Sequence, residues 1–266
     1  MTAALAPSCQ ADLTADERAI RHLVGERAAE NSEIHRIQAK EKLLYAKAAA
    51  EPVKRPTTTP AVPEFPHGAC FPDVSSFQPH VDLAAVDKDS SINVGKLIVV
   101  KATEGLSYVD GYLASRWTGA KAVGIPHRGA YHFLHMDESG TLQGEYFLRA
   151  LDAAGGVTVQ DIVIADAEIS SGMSAQTVAQ CVAEFGAYLA AHCPAKKWLY
   201  TGGPFATENG IKLAPYQGHW LPAYTGDPKP YYVFGTPIAW QFTDGVNGPT
   251  PHVVAGIGPC DCSIIL

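Results

Sequence analysis

Two carboxylates stand two residues apart in the stretch DIVIADAEIS, residues 161–170, where Asp166 and Glu168 follow the apolar run Ile162 to Ala165. Side chains alternate along a strand, so residues i and i+2 share one face. Two acids on one face repel, and such crowding raises a carboxyl's pKa until one member holds a proton near neutral pH. A retained proton beside an ionised partner is what general acid catalysis requires. Two further acids, Asp73 and Asp261, lie in short motifs of their own, FPDVSSFQ and CDCS. Crowding by Asp166, Asp73 and Asp261 is therefore expected to raise Glu168. Tyr131, Tyr200, Trp220, Tyr224, Trp240 and Gln241 stand in comparable positions, each near the end of an apolar segment. Aromatic faces stack on sugar rings. Clustered acids with aromatics point to glycosidic bond cleavage, which needs one protonated acid and negative charge to stabilise an oxocarbenium-like transition state.

These residues are far apart in sequence, so a framework must bring them together. Eight short strand candidates fall near 71–74, 97–101, 128–133, 161–166, 196–200, 219–223, 237–242 and 260–264. Helical spacing fits between the early ones, over Tyr112–Val123, Thr141–Ala154 and Ser174–His192. In the last, Val178, Cys181, Val182, Phe185 and Leu189 recur behind Ser174 as N-cap. Alternating strands and helices numbering eight predict an α/β fold, an irregular TIM-like barrel whose strand C-termini share one rim. The segment TGDPKPYYVFGT before the seventh strand carries Pro228 and Pro230 and no helical period, so the ring of helices is expected to be incomplete there.

The barrel occupies residues 70–266. Before it, TADE at Thr14–Glu17 forms a capping box, and helix formers continue to about residue 50. Apolar residues at Leu13, Ile20, Leu23, Ile34, Ile37 and Leu44 make a narrow, heptad-like stripe with a polar gap at Arg27 and Glu30. Residues 1–51 thus read as a long helical segment that needs a partner. Lying across its own domain and self-association or docking into an assembly through residues 14–50 both remain open. Pro52, Pro56, Pro60, Pro63 and Pro66 make residues 52–69 an extended linker.

A net charge of −7, with no basic block, argues against nucleic acid as a partner. No apolar run is long enough to span a membrane, and the first residues lack the pattern of a signal peptide. The six cysteines are too scattered for a disulfide scaffold, and the Cys260–Cys262 pair has no second pair at zinc spacing. No metal and no cofactor is expected. A bridge from Cys70 to Cys260 or Cys262 stays open, because their strands would be neighbours in a closed barrel.

The set DVSSFQ with Asp73, Ser75 and Gln78, then KATEG, GAYHF, the D-x-E of Asp166 and Glu168, YTGG, WLPAY, AWQFTD and the closing Asp261 resembles glycoside hydrolase family 25. This is the muramidase family of lysozymes common in bacteriophages and bacteria, and the resemblance covers about residues 70–266. It implies a flattened β/α barrel that cleaves the β-1,4 bond between N-acetylmuramic acid and N-acetylglucosamine in peptidoglycan, with retention and without a metal. It implies Glu168 as general acid and Asp166 as the neighbour that orients the substrate's 2-acetamido group. Asp73 and Asp261 are implied as rim carboxylates that hold the site and its charge. Substrate assistance is the expected route, the acetamido oxygen serving as nucleophile. Pro222 and the cysteines flanking Asp261 depart from the usual residues of the family.

Particular residues argue against other readings. A family 18 chitinase would need D-x-x-D-x-D-x-E, and Ile164 stands where its second aspartate belongs. A non-catalytic wall-binding protein would have lost an acid, whereas Asp166 and Glu168 are both present. His132 and His135 follow a strand, which suits structural or substrate-contact roles better than a metal. Lys101 and Glu104 read as a structural ion pair supporting the site. No wall-binding module follows Leu266, so a phage-particle enzyme attached through the N-terminal segment is expected ahead of a free endolysin released from the host cytoplasm.

Overall fold

The computed structural model describes residues 68–89 and 97–266. The expected helical segment of residues 1–51, and the linker as far as residue 67, lie outside the described residues.

In chain order the elements are β1 (Cys70–Val74), α1 (Leu83–Lys88), β2 (Leu97–Glu104), β3 (Tyr108–Val109), α2 (Leu113–Ala122), β4 (His127–Phe133), α3 (Gly140–Ala153) and β5 (Ile162–Asp166). There follow α4 (Ala175–His192), β6 (Lys196–Tyr200), α5 (Gly203–Glu208), β7 (Gly218–Pro222), a 3-10 turn at Lys229–Tyr231, β8 (Ala239–Thr243), the short strands β9 (Val253–Val254) and β10 (Gly258–Pro259), and β11 (Asp261–Ile265). The strand order β1-β11-β8-β7-β6-β5-β4-β2, with β2 pairing back to β1, closes an eight-stranded barrel. All eight expected strands and the three expected helices are present.

Period-two alternation divides the residues between two cores. Phe71, Leu97, Val99, Ile162, Ile164, Trp198, Trp220, Ala239 and Ile265 fill the barrel interior. The intervening residues, such as Val100, Ala130, Val163 and Leu199, face outward and pack with the helices. Helix α4 starts where Ser174 accepts from the Thr177 backbone N–H at 3.2 Å, and it buries Val178, Cys181, Val182, Phe185 and Leu189. Its neighbour α3 approaches so closely that a Cβ at Gly140 would lie 2.1 Å from the Cys181 carbonyl oxygen. Only glycine permits that crossing.

Two features depart from a regular parallel barrel. Strand β11 runs antiparallel to both β1 and β8. A parallel return needs a long crossover, normally a helix; residues 244–260 contain only the β9–β10 pairing. Asp261 therefore reaches the rim from the start of its strand rather than from the end expected of a parallel one. The helix ring is also incomplete between β7 and β8, where Lys229–Tyr231 forms one 3-10 turn, as the prolines predict.

Candidate active site

The barrel's inward-facing residues change character from floor to rim. Along β5, Ile162 and Ile164 lie in the interior core and Asp166 is the next residue on that face. Along β1, Phe71 is followed by Asp73. The same step takes Trp198 to Tyr200, Ala239 to Gln241, and Val99 to Lys101. Each strand thus delivers one polar or aromatic tip to a shared cleft lined by Asp73, Lys101, Tyr131, Asp166, Glu168, Tyr200, Trp220, Gln241 and Asp261, with Val74, Ser75, Phe77, Gln78 and Phe133 at its sides.

Asp73 and Asp261 are cross-strand partners. Gln241 sits between them. Its Nε2 donates to Asp73 Oδ2 at 2.9 Å and to Asp261 Oδ2 at 3.4 Å, while its Oε1 accepts from the Tyr200 and Tyr224 hydroxyls, both at 2.8 Å. Burial, then the charge of Asp261, raises Asp73 well above the usual carboxylate range, and the Gln241 hydrogen bond opposes the rise. Asp261 is pushed up to about 6, by burial first and then by Asp244 and Glu168.

Asp166 is buried, and its Oδ1 has no hydrogen-bond partner. Burial, followed by the charge of Glu168, lifts its pKa well above the ordinary value, with Lys101 acting in the opposite direction. Glu168 is raised too, and here the cause differs from the sequence expectation. Burial raises it and the Lys101 ammonium lowers it; acid crowding acts on Asp166 and Asp73 instead.

Lys101 is the cation of this cleft. Its Nζ donates to Glu104 Oε2 at 2.6 Å and lies 5.3 Å from the ring centres of Tyr108 and Phe133. Strand β2 is irregular between Lys101 and Thr103: Lys101 pairs with Tyr131, but Thr103 pairs with His132. A bulge at this point changes the parity of the strand. Thr103 turns outward to His132, and Glu104 returns to the face that carries Lys101. The expected ion pair is present, and it extends through Glu104 Oε1 to His135 Nε2 at 3.1 Å.

His132 itself lies in the helix-side core. Its ring contacts Thr103 and Gln143 and stacks on Phe185, and burial pushes its pKa down to about 3, so it is neutral and structural.

Of the aromatic residues singled out in the sequence, Tyr131, Tyr200 and Trp220 line the cleft. Trp220 forms floor rather than platform: it is 2% exposed, and its indole Nε1 donates to Ser263 Oγ at 2.9 Å. Tyr224 stands at the edge, partly exposed and joined to the cleft through Gln241. Trp240 is not part of the site. It is adjacent to Gln241 on one strand, so the two must face opposite ways. Its indole donates to the Ala223 carbonyl at 2.7 Å and packs edge-on against Phe242 on the outer side.

Phe77 is the residue that inspection of the acids and strand tips passes over. It is 87% exposed at the cleft wall, a costly place for an aromatic ring. The only signal in the sequence is its place inside DVSSFQ. Ser75 and Gln78 fix the loop that presents it: Gln78 Oε1 accepts from the Ser75 N–H at 3.0 Å, and Arg116 Nη1 donates to the Ser75 carbonyl at 2.7 Å. Asp110 accepts from the Ser76 N–H at 2.8 Å and completes the brace.

Pro222, the last residue of β7, pairs with Gln241 without breaking the ladder, which continues from the Ala223 N–H to the Gln241 carbonyl. Cys70, Cys260 and Cys262 are free thiols, so the bridge left open by the sequence is not formed. Among the described residues no helix is long and apolar enough to cross a membrane.

Comparison with known proteins agrees with this architecture. The uncharacterized protein YegX of Escherichia coli O6:H1 is 29% identical over 189 residues, which cover 66% of this chain and 65% of that protein. The chain thus spans slightly under two thirds of that relative's length. An N,O-diacetylmuramidase of Arthroderma benhamiae is 38% identical over 76 residues, 29% of this chain and 30% of that protein. The crystal structure of a lysozyme from Streptomyces coelicolor superposes with a TM-score of 0.62 at 25% identity, covering 74% of this chain and 92% of that one. The model of the glycosyl hydrolases family 25 matches residues 72–250, from the strand of Asp73 through that of Gln241. With the barrel, its acid-lined rim and this match together, the chain belongs to glycosyl hydrolase family 25.

Proposed function

We propose that this chain is a peptidoglycan muramidase, a lysozyme that hydrolyses the β-1,4 bond between N-acetylmuramic acid and N-acetylglucosamine with retention. The observation that carries the reading is the unpartnered Asp166 Oδ1, buried in the same cleft as Glu168. A buried carboxylate oxygen without a donor is costly. The amide N–H of a substrate 2-acetamido group supplies that donor and turns the acetamido oxygen toward the anomeric carbon.

In this mechanism Glu168 donates its proton to the leaving glycosidic oxygen as the C1–O bond breaks. The acetamido oxygen closes on C1 from the opposite face, giving a cyclic oxazolinium whose positive charge lies beside Asp166. Glu168, now ionised, takes a proton from water as that water opens the ring at C1. Two inversions leave the configuration retained. Raised proton affinity at Glu168 suits the first step, and the rim acids Asp73 and Asp261 supply negative potential to the oxocarbenium-like transition state.

Mass spectrometry of purified cell walls after digestion and borohydride reduction tests this reading. Reduced N-acetylmuramic acid ends that vanish in Glu168→Gln support it. Reduced N-acetylglucosamine ends, or no fragments from folded protein, overturn it.

The proposal extends to context: a phage particle that carries the enzyme to the bacterial wall, attached through residues 14–50. The capping box at Thr14, the narrow apolar stripe and the proline spacing after it support this reading. Co-sedimentation of the full chain with purified particles tests it. A chain found only in the soluble fraction of lysing cells favours the free endolysin.

A further inference from the structure

We propose that Gln241 is a positioning residue of the site: its amide group keeps Asp73 and Asp261 apart as two separately ionising acids, and it does so without touching substrate. The inference rests on the muramidase reading above and concerns a residue that the strand pattern alone would assign to substrate binding.

Two carboxyls facing each other across an antiparallel pair have a simple alternative arrangement, one proton shared in a direct hydrogen bond. The pair then titrates as a unit and carries a single charge over a wide pH range. Gln241 excludes that arrangement. Both hydrogens of its Nε2 are committed, one toward Asp73 Oδ2 and one toward Asp261 Oδ2. The amide can be held this way round because carboxylates only accept, and because two phenols fix the other end. Tyr200 and Tyr224 both donate to Oε1. Flipping the amide would place its oxygen against two carboxylates, which only accept, losing both of those contacts at once.

All four of the contacts made by the Gln241 amide are with protein groups. Its side chain is buried, with the residue 1% exposed. Both hydrogens and both lone pairs of the amide are spent on these groups, so its effect passes through the acids. The chain Tyr224–Gln241–Asp73 also runs from the partly exposed edge of the cleft to its buried wall. The orientation of the amide is thereby tied to a tyrosine at the edge.

The test is the pH profile of Gln241→Met and Tyr224→Phe, each verified as folded by circular dichroism, on solubilised peptidoglycan. Methionine keeps the length and removes both amide hydrogens. The acid limb of kcat/KM is expected to move upward by about one pH unit, roughly tenfold in rate at a fixed acidic pH. KM and the alkaline limb should stay where they are. Tyr224→Phe keeps the aromatic face and removes one anchor of Oε1, so a smaller shift of the same limb is expected with KM unchanged. Carbon NMR of Asp-labelled enzyme gives a readout free of turnover, with the Asp73 and Asp261 carboxyl titrations replaced in Gln241→Met by two shared steps set further apart, the second of them at higher pH than in the wild type. An unmoved acid limb together with unmoved carboxyl titrations overturns the proposal, as does a raised KM at unchanged kcat, which would place Gln241 on the substrate. Failure of the muramidase reading itself would show separately, as absence of N-acetylmuramic acid ends from the wild-type digest.

Discussion

Lys101 and Glu104 meet at 2.6 Å although they stand three positions apart on one strand, a spacing that puts side chains on opposite faces of a regular strand. The irregularity of β2 before Thr103 makes the contact. Lys101, the only cation lining the described cleft, faces the acids by regular alternation and lowers the proton affinity of both Asp166 and Glu168. Removing that charge in Lys101→Met should therefore shift both limbs of the kcat/KM profile upward by about half to one pH unit. A pH-rate series on solubilised peptidoglycan checks this. Movement of one limb alone would mean that Lys101 acts on only one of the two acids.

A stability experiment follows from Asp261. Its carboxyl is raised from 3.8 to about 6 by burial first, so the folded state binds its proton more tightly than the unfolded chain does. That contribution to stability is complete below the unfolded value and is lost as pH rises through about 6. Asp261→Asn, which does not titrate, should match the wild type near pH 3.5 and exceed it by roughly 1–3 kcal/mol at pH 7. Urea unfolding at the two pH values measures the difference. Equal stability at pH 7 would show that the wild-type carboxylate is compensated in the folded protein.

Phe77 separates binding from folding. Its ring is almost wholly in solvent, so Phe77→Ala should change stability by no more than about 0.5 kcal/mol. Loss of one stacking face at the cleft wall should raise KM by about threefold to tenfold. Initial-rate kinetics on chitin-free, solubilised glycan strands read this directly, and an unchanged KM would remove Phe77 from the binding surface.

Trp240 should behave in the opposite way. Trp240→Phe loses the hydrogen bond to the Ala223 carbonyl and should cost about 1 kcal/mol of stability. KM and kcat should not change, because the ring packs on the outer side of the barrel. Thermal unfolding and kinetics on the same preparation check both halves.

The barrel was legible because its strands are short apolar runs with period-two alternation, and the cleft because most of the tips are acids or aromatics. Asp73, Asp166, Glu168 and Asp261 converge as the sequence predicts. The direction of β11 was hidden because no strand encodes its own orientation; the connection over residues 244–260 decides it, and that segment has no period. The bulge in β2 was hidden for a related reason, since VVKATE reads equally well as six alternating residues. Trp240 was a different case. Its neighbour Gln241 already faces inward, and alternation applied to both at once would have turned the indole outward. The proton affinity of Glu168 is raised by burial and lowered by Lys101, neither of which spacing between acids conveys.

The reversed course of β11 also settles the polarity of the molecule as an object to be attached. β1 begins at Cys70 and climbs to Asp73, and β11 begins at Asp261 and descends to Ile265, where the Gly68 N–H donates to its carbonyl at 2.9 Å. Entry and exit therefore sit side by side at the closed end, on the far side of the barrel from the acids. A label joined after Leu266 is therefore attached on the side of the barrel away from the acid-lined rim.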